Sequence, residues 1–337
     1  MPEGHSIHRI ALQFRANFVG KRIAASSPQG RFAAGAAEID GRVLLAATAV
    51  GKQLFLEFEG EKILRVHLGL YGSWDFAGEI SSDATVRSSA GRMGQTNQRG
   101  TVLDDYAEED SLAFASSIGA PRRLRMAERE DEREQSIDRF PPDPVGAVRV
   151  RLLTETAVAD LRGPTACEVL DPQQVAKQLA KLGPDPLVDS GKQAEDRFVT
   201  AVRKKPTPIG LLLMDQSVVS GVGNVYRAEL LFRARLDPHT PGREVPEKKL
   251  REIWRDWAKL LELGVRTGQM MTKEDLTDEE WAKAMGSRED RHYVYKRQGL
   301  PSPKGRGNVV IEEMGGRNLY WAPGWQKRPR KPAAKGD

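Results

Sequence analysis

Cysteine is nearly absent from this chain of 337 residues: Cys167 stands alone, so no internal disulfide can form. Histidine is scarce as well. His5, His8, His67, His239 and His292 are the whole set, and no four-ligand zinc arrangement of sensible spacing can be drawn from them. Long apolar runs are missing too. With a mean hydropathy of −0.52, stretches such as Val43 to Val50 fall far short of the ~20 residues a membrane helix needs. The opening MPEGHSIHRIALQF puts Glu3, His5, His8 and Arg9 where a secretory leader would need continuous apolar residues. A cytoplasmic protein without metal or other cofactor is expected.

What is present is a small excess of positive charge, 52 Lys+Arg against 47 Asp+Glu for a net charge of +5. Averaged over a surface this means little; gathered on one face it would suit nucleic acid. Ile7, Ile10, Ala11 and Phe14 recur at helical spacing, so a short helix opens the chain with Pro2-Glu3-Gly4 at its mouth. From Arg22 to Trp74 the pattern is strand-like, with alternation at Gln53–Phe58 and Ile63–Val66 broken by Gly51, Gly60 and Gly69.

Residues 78–146 turn to Ser, Gly, Arg and Gln, then to the charge run Glu128 to Glu134 and to Pro141-Pro142-Asp143-Pro144, and read as a poorly ordered insertion within one domain. Alternation at Val148–Leu152 and Ala157–Leu161 completes the sheet with a hairpin, closing a first domain over 1–181. The breakers Leu182-Gly183-Pro184-Asp185-Pro186-Leu187 mark a linker over 182–192, followed by a helical domain over 193–290. Residues 291–326 read as a hairpin, its two strands at Tyr293–Gly299 and Gly315–Trp321 with Arg317 near the tip, and 327–337 as a basic, disordered tail. The fold class expected is α+β, multidomain.

Four features could carry chemistry. Pro2-Glu3, freed of Met1, would pair a secondary amine with a carboxylate; such an amine condenses with an aldehyde to a cationic iminium, and the carboxylate shuttles protons. Gly221-Val222-Gly223-Asn224 is a tight turn between helices, equally suited to helix packing or to receiving a phosphate. Lys52 follows Gly51 at a strand entry, and His67-Leu68-Gly69-Leu70-Tyr71-Gly72 ends another strand; there Leu70 and Tyr71 read as core or as a wedge into stacked bases, with core the commoner role for such residues. Arg317 could fork onto a phosphate.

Taken together and in order, Pro2-Glu3-Gly4-His5, Gly51-Lys52, His67 through Gly72, Leu182 through Leu187, Met214-Asp215-Gln216 through Gly223-Asn224, and Gly316-Arg317 resemble the formamidopyrimidine-DNA glycosylase and endonuclease VIII family over nearly the whole chain. The resemblance implies an N-terminal β-sandwich with a leading helix, a helix-two-turn-helix domain and a C-terminal β-hairpin finger. It implies a DNA glycosylase and abasic-site lyase of base excision repair acting on damaged double-stranded DNA. Pro2 would attack C1′ of the damaged nucleoside, Glu3 would protonate the sugar and relay protons, and Lys52 would contact a phosphate. His67 would lie at the DNA, Leu70 and Tyr71 would fill the emptied stack, and Asn224 and Arg317 would grip flanking phosphates.

That wedge resembles the endonuclease VIII side of the family, so oxidised pyrimidines are the expected substrates, removed by β,δ-elimination. Where family members usually carry four finger cysteines, this chain has Pro301-Ser302-Pro303-Lys304-Gly305 and Ala322-Pro323-Gly324-Trp325. The finger is therefore expected to be zincless, with Arg317 placed by packing through Trp321 and Trp325. A monomer is expected, with the 78–146 insertion as a possible platform for a repair or replication partner. Two other readings stand beside this one: a catalytically silent protein of the same fold that binds damaged or abasic DNA, and a helix-two-turn-helix binding module of another kind.

Overall fold

The structure is a computed structural model; it describes residues 2–80, 116–120 and 140–329. The chain divides into two compact units, Met1–Ala180 with Val265–Gly268 and Lys181–Gly264 with Gln269–Asp337. No helix among the described residues is long and apolar enough to cross a membrane.

In the first unit, α1 (Gly4–Asn17) forms where the sequence places apolar residues three and four apart: Ile7, Ile10, Ala11 and Phe14 are all essentially inaccessible to solvent. Phe14 is the hub, its ring lying 4.9 Å from Trp74 and 5.3 Å from Phe76, edge-on to both. Each such buried side chain contributes roughly 1.5–3 kcal/mol. The helix ends where the amide of Phe18 closes back on Phe14 and Gly20 takes a positive φ of 82°.

Around this helix run β1 (Arg22–Ser26), β2 (Arg42–Val50), β3 (Gln53–Phe58), β4 (Lys62–His67), β5 (Ser73–Gly78), β6 (Ser116–Gly119), β7 (Val148–Leu153), β8 (Ala157–Arg162) and β9 (Ala166–Leu170), hydrogen-bonded in the order β6-β5-β8-β7-β1-β2-β3-β4-β9. The short strand β1 is a corner. Its first residues, Arg22 and Ile23, pair with β2, whereas Ala24, Ala25 and Ser26 pair with β7, so one strand passes from one half of the sheet to the other. Residues of both halves then share a single core with α1. Two helices complete the unit, α2 (Ala33–Ile39) and α3 (Pro172–Leu179), the latter opened by a capping box between Asp171 and Gln174.

One expectation is corrected here. The 78–146 span is not a single insertion outside the sheet: Ser116–Gly119 is an edge strand on β5, pairing Ile118 with Trp74 and burying Ile118 in the core. An unpaired β5 edge would leave backbone donors and acceptors unmet beside that core. The rest of the span, 81–115 and 121–139, lies outside the described residues, as does the expectation of disorder there.

The second unit is helical, with α4 (Lys192–Arg203), α5 (Ile209–Leu212), α6 (Asn224–Arg233), α7 (Glu247–Thr267) and α8 (Asp278–Gly286), followed by a hairpin of β10 (Val310–Glu313) and β11 (Asn318–Trp321). On α7, Leu250, Ile253, Trp254, Trp257 and Leu261 form one buried stripe. Trp254 stacks on Phe198 at 5.7 Å, and Trp257 meets Tyr226 edge-on at 4.7 Å.

The 182–192 segment is no free connector in its first half. Gly183 donates to the carbonyl of Gln216, Ser220 donates to the carbonyl of Gly183, and Asp185 is fully buried while accepting from the amide of Leu187. The tail is likewise tied down at its start, Lys327 pairing with Leu236 and Arg328 reaching Asp237; residues 330–337 lie outside the described residues.

The finger differs most from expectation. Tyr293–Gly299 is not a strand, and the hairpin partner of Asn318–Trp321 is Val310–Glu313 instead. The reason is a competing acceptor. The amides of Tyr293, Val294 and Tyr295 donate to the buried carboxylate of Glu229 at 2.8–2.9 Å, which removes them from any ladder, and Lys296 turns the chain with φ +58°.

Candidate active site and nucleic-acid interface

In the first unit the sequence-derived residues gather at one end of the sheet. Glu3 is the extended N-cap of α1 and is fully buried, and its neighbour Pro2 is buried beside it. Arg15 near the other end of α1 donates to the carbonyl of Ala47, and Gly20 donates to Leu44, fixing the C-terminal end of the helix to the early part of β2. The helix packs along β2, and fourteen helical residues and six strand residues both span about 20 Å. The mouth of α1 therefore lies toward the end of β2, where Gly51 (φ +60°) and Lys52 make the turn into β3.

His67 closes β4 directly opposite Gln53, the first residue of β3, which places it beside Lys52. Burial, then the charge of Lys52, then that of Arg65, hold the His67 imidazole below its ordinary pKa, so it stands neutral at neutral pH. His5, in the first turn of α1, is pushed down to about 3 by burial and by Arg9.

Beyond His67 the chain makes a tight loop that reverses the commoner expectation for its tip. Leu70 is 38% exposed and Tyr71 75% exposed, so neither is core. Two glycines compel this. Gly69 has φ +65°, and a Cβ there would sit 1.8 Å from Thr165 Oγ1; a Cβ on Gly72 would sit 2.4 Å from the carbonyl oxygen of Leu68, to which the Gly72 amide is bonded. The loop folds back on its own backbone, and the two bulky residues between are left outside.

In the second unit, Asn224 begins α6 after the turn Gly221-Val222-Gly223, with Gly223 in extended conformation as N-cap. Gln216 holds that turn: its amide donates to the carbonyls of Met214 and Val222 and its oxygen accepts from the amide of Gly221. The Asn224 side chain is 7% exposed and donates to the carbonyl of Asn318 at 2.8 Å, leaving one amide hydrogen for a further acceptor. Asn318 follows Arg317 directly. The hairpin turn Met314-Gly315-Gly316-Arg317 carries positive φ at both glycines, 65° and 70°, and Met314 donates to the carbonyl of Arg317, the form that suits a two-residue hairpin. Asn224 and Arg317 are thus neighbours through Asn318.

The finger root has a small core of its own: Ala228, Phe232, Tyr293, Val294, Val309, Tyr320 and Ala322, with Trp325 packed against it. Trp325 donates its indole hydrogen to the carbonyl of Phe232 and lies under the guanidinium of Arg235 at 4.0 Å. Trp321 is not part of this cluster and instead meets His239 edge-on at 5.2 Å. Among the described residues no group of three or more His, Cys, Asp or Glu side chains is arranged to hold a metal ion.

Two residues that sequence reasoning missed are central to this unit. Glu229 is fully buried and accepts four hydrogen bonds, from Thr272 Oγ1 and the three amides already named. Arg227 is 1% exposed and donates to the carbonyls of Met314 and Asn318 and to the side-chain oxygen of Asn224. Both lie on a helix where charged residues read as a solvated face.

A sheet unit with its N-terminal residues buried at a helix mouth, and a helical unit in which the glycine turn opens α6 and Asn224 bonds to a hairpin tipped by Arg317, fit the helix-two-turn-helix class of DNA-binding proteins. Residues 1–108 match the formamidopyrimidine-DNA glycosylase N-terminal domain and residues 182–275 the formamidopyrimidine-DNA glycosylase H2TH domain. The chain is 35% identical to endonuclease 8 1 of Mycobacterium tuberculosis over 96% of its own length and 98% of that protein. It therefore belongs to the formamidopyrimidine-DNA glycosylase and endonuclease VIII family. Formamidopyrimidine-DNA glycosylase of Thermus thermophilus is 34% identical over 43% of this chain and 53% of that one. Among solved structures, the MutM (Fpg) protein of Thermus thermophilus has the same fold with a TM-score of 0.63 at 22% identity, covering 96% of this chain and 98% of that one. Lactococcus lactis Fpg, solved with DNA containing an abasic site, gives 0.65 at 16% identity over 96% and 99% of the two chains.

Proposed function

We propose that Pro2 is the nucleophile of this protein, Glu3 its proton carrier and Lys52 its phosphate contact beside the lesion, with oxidised pyrimidines as preferred substrates. The broader activity follows from the family: the chain is a bifunctional DNA glycosylase and abasic-site lyase of base excision repair. It acts on damaged double-stranded DNA, on this reading as a monomer in the cytoplasm at the nucleoid.

With Met1 removed, the Pro2 nitrogen attacks C1′ of an extruded nucleotide. The bond from C1′ to the base breaks as the Pro2 nitrogen bonds to C1′, and the base leaves with the proton that the Pro2 amine sheds; Glu3 then gives a proton to the sugar ring oxygen, and the bond from C1′ to that oxygen breaks to open the ring. The resulting iminium acidifies the C2′ hydrogens. Loss of a C2′ proton expels the 3′ phosphate, loss of a further proton expels the 5′ phosphate, and hydrolysis of the iminium returns Pro2. Asn224 and Arg317 grip the flanking phosphates, His67 lies at the DNA as a neutral donor or acceptor, and Leu70 with Tyr71 occupies the emptied stack.

The observation that carries the reading is the exposed Leu70-Tyr71 tip, projecting from a loop whose strand ends beside Lys52. The test is borohydride trapping on duplex DNA with one abasic site, followed by peptide mass spectrometry. An adduct on Pro2 is expected, and dihydrothymine or thymine glycol should be excised faster than 8-oxoguanine from otherwise identical duplexes. A Met1-free protein that binds this DNA without trapping would be a silent binding protein instead; faster release of 8-oxoguanine would overturn the pyrimidine preference.

A further inference from the structure

Arg227 holds together the two residues that the proposed function assigns to the DNA backbone. From one buried guanidinium, Nη1 donates to the carbonyl of Met314 at 3.2 Å, and Nη2 donates both to the carbonyl of Asn318 at 3.2 Å and to the side-chain oxygen of Asn224 at 2.5 Å. Met314 and Asn318 bracket the turn that carries Arg317. Its contact with Asn224 also orients that amide, because the oxygen facing Arg227 forces the nitrogen toward Asn318, where it donates at 2.8 Å.

The turn itself supplies little rigidity. Gly315 and Gly316 both sit at positive φ; a Cβ on Gly315 would meet Leu211 at 2.7 Å, whereas one on Gly316 would meet nothing within 4 Å, so the outer half of the tip is exposed and its place is set by what holds its base. The base is fixed by planar, forked donors that a point charge such as lysine would not match.

We infer that Arg227 is a positioning residue for DNA binding: it couples Asn224 at the start of α6 to Arg317 on the finger, so that both meet the backbone as one preset unit. This rests on the phosphate-gripping roles proposed above for those two residues. The ligand is the phosphate backbone, and Arg227, at 1% exposure, acts without touching it.

A double-mutant cycle tests the coupling in the full-length protein, with Arg227→Met, Arg317→Ala and their combination. Dissociation constants are measured for a duplex carrying a reduced abasic analogue, alongside the single-turnover rate of abasic-site cleavage at saturating DNA. If Arg227 acts through Asn224 and Arg317, then Arg227→Met weakens binding ~10-fold, Arg317→Ala ~30-fold, and the pair well short of the ~300-fold product. The saturated cleavage rate of Arg227→Met should stay within ~3-fold of wild type. Multiplicative losses, or a Kd for Arg227→Met equal to wild type, would overturn the inference.

Should Arg227→Met fail to fold, Arg227→Lys takes its place in the cycle. It keeps the charge, loses the fork, and is expected to give the same non-multiplicative pattern at smaller amplitude. Failure of the parent reading looks different: Arg317→Ala would then bind as wild type does, and Pro2 would not be trapped.

Discussion

Two glycine-closed tips, Leu70-Tyr71 in the sheet unit and Gly316-Arg317 in the helical unit, are secured in opposite ways. In the first, the surroundings leave no room for a side chain: a Cβ at Gly69 collides with the side chain of Thr165 and one at Gly72 with the carbonyl of Leu68. In the second, Gly315 lies against Leu211 but Gly316 is open, and the base of the turn is held by hydrogen bonds from α6, almost a hundred residues earlier in sequence. One tip is set by exclusion, its glycines having no room for a side chain; the other is set by attraction, through donors on α6 that reach it when the helix and the finger root meet.

The contrast can be broken from either side. The largest effect is expected at Glu229, where Glu229→Ala leaves the amides of Tyr293, Val294 and Tyr295 and the hydroxyl of Thr272 without their buried acceptor. A loss of about 3–5 kcal/mol is expected in the finger root, read as rapid proteolysis within 291–329 and a much weaker grip on DNA. Trapping of Pro2 at saturating DNA should persist, because the sheet unit is untouched; its parallel disappearance would show that the two units do not stand apart in this way.

Gly69→Ala is the reciprocal experiment. It should cost about 1–3 kcal/mol through the positive φ and the clash with Thr165, and slow lesion removal from duplex DNA more than abasic-site cleavage in single strands, where no stack needs filling. Equal slowing on both substrates would mean that the tip is structural rather than a wedge.

At neutral pH the smallest effect is expected at His5, whose contribution shows only as a pH slope. His5 titrates near 3 when folded but near its ordinary 6.5 when unfolded, so below pH 6.5 the unfolded chain takes up a proton that the native state refuses. Stability is therefore complete above pH 6.5 and falls as pH drops toward 3, by up to about 1.4 kcal/mol per unit from this group. His5→Asn should flatten that part of the urea-unfolding profile between pH 6.5 and 4.5. An unchanged slope would show that the helix mouth opens before His5 is charged.

How much of this was legible in the sequence depends on how local each feature is. Local patterns carried α1 with its Pro2-Glu3-Gly4 mouth, the alternating strands, and the turn before Asn224, because each is written in neighbouring residues. Tyr293–Gly299 misled for the opposite reason: its aromatic and β-branched residues fit a strand, but Glu229 claims three of its amides from 64 to 66 positions away. Arg227 and Glu229 were invisible in a helical segment where charge ordinarily means solvent. Ile118 was hidden within a span whose composition points away from a sheet, although a single apolar residue there completes the core beside Trp74.

The finger root is built on aromatic rings rather than on sulfur. Its span from 291 to 329 contains no cysteine, and Trp325 lies against Arg235 and Phe232 in stretches where family members usually carry the thiolates that bind a metal. The one thiol of the chain, Cys167, is pushed up to about 12 by burial and so is almost wholly protonated at neutral pH, the unreactive form toward peroxide. The chain therefore carries no cysteine that is a thiolate at neutral pH.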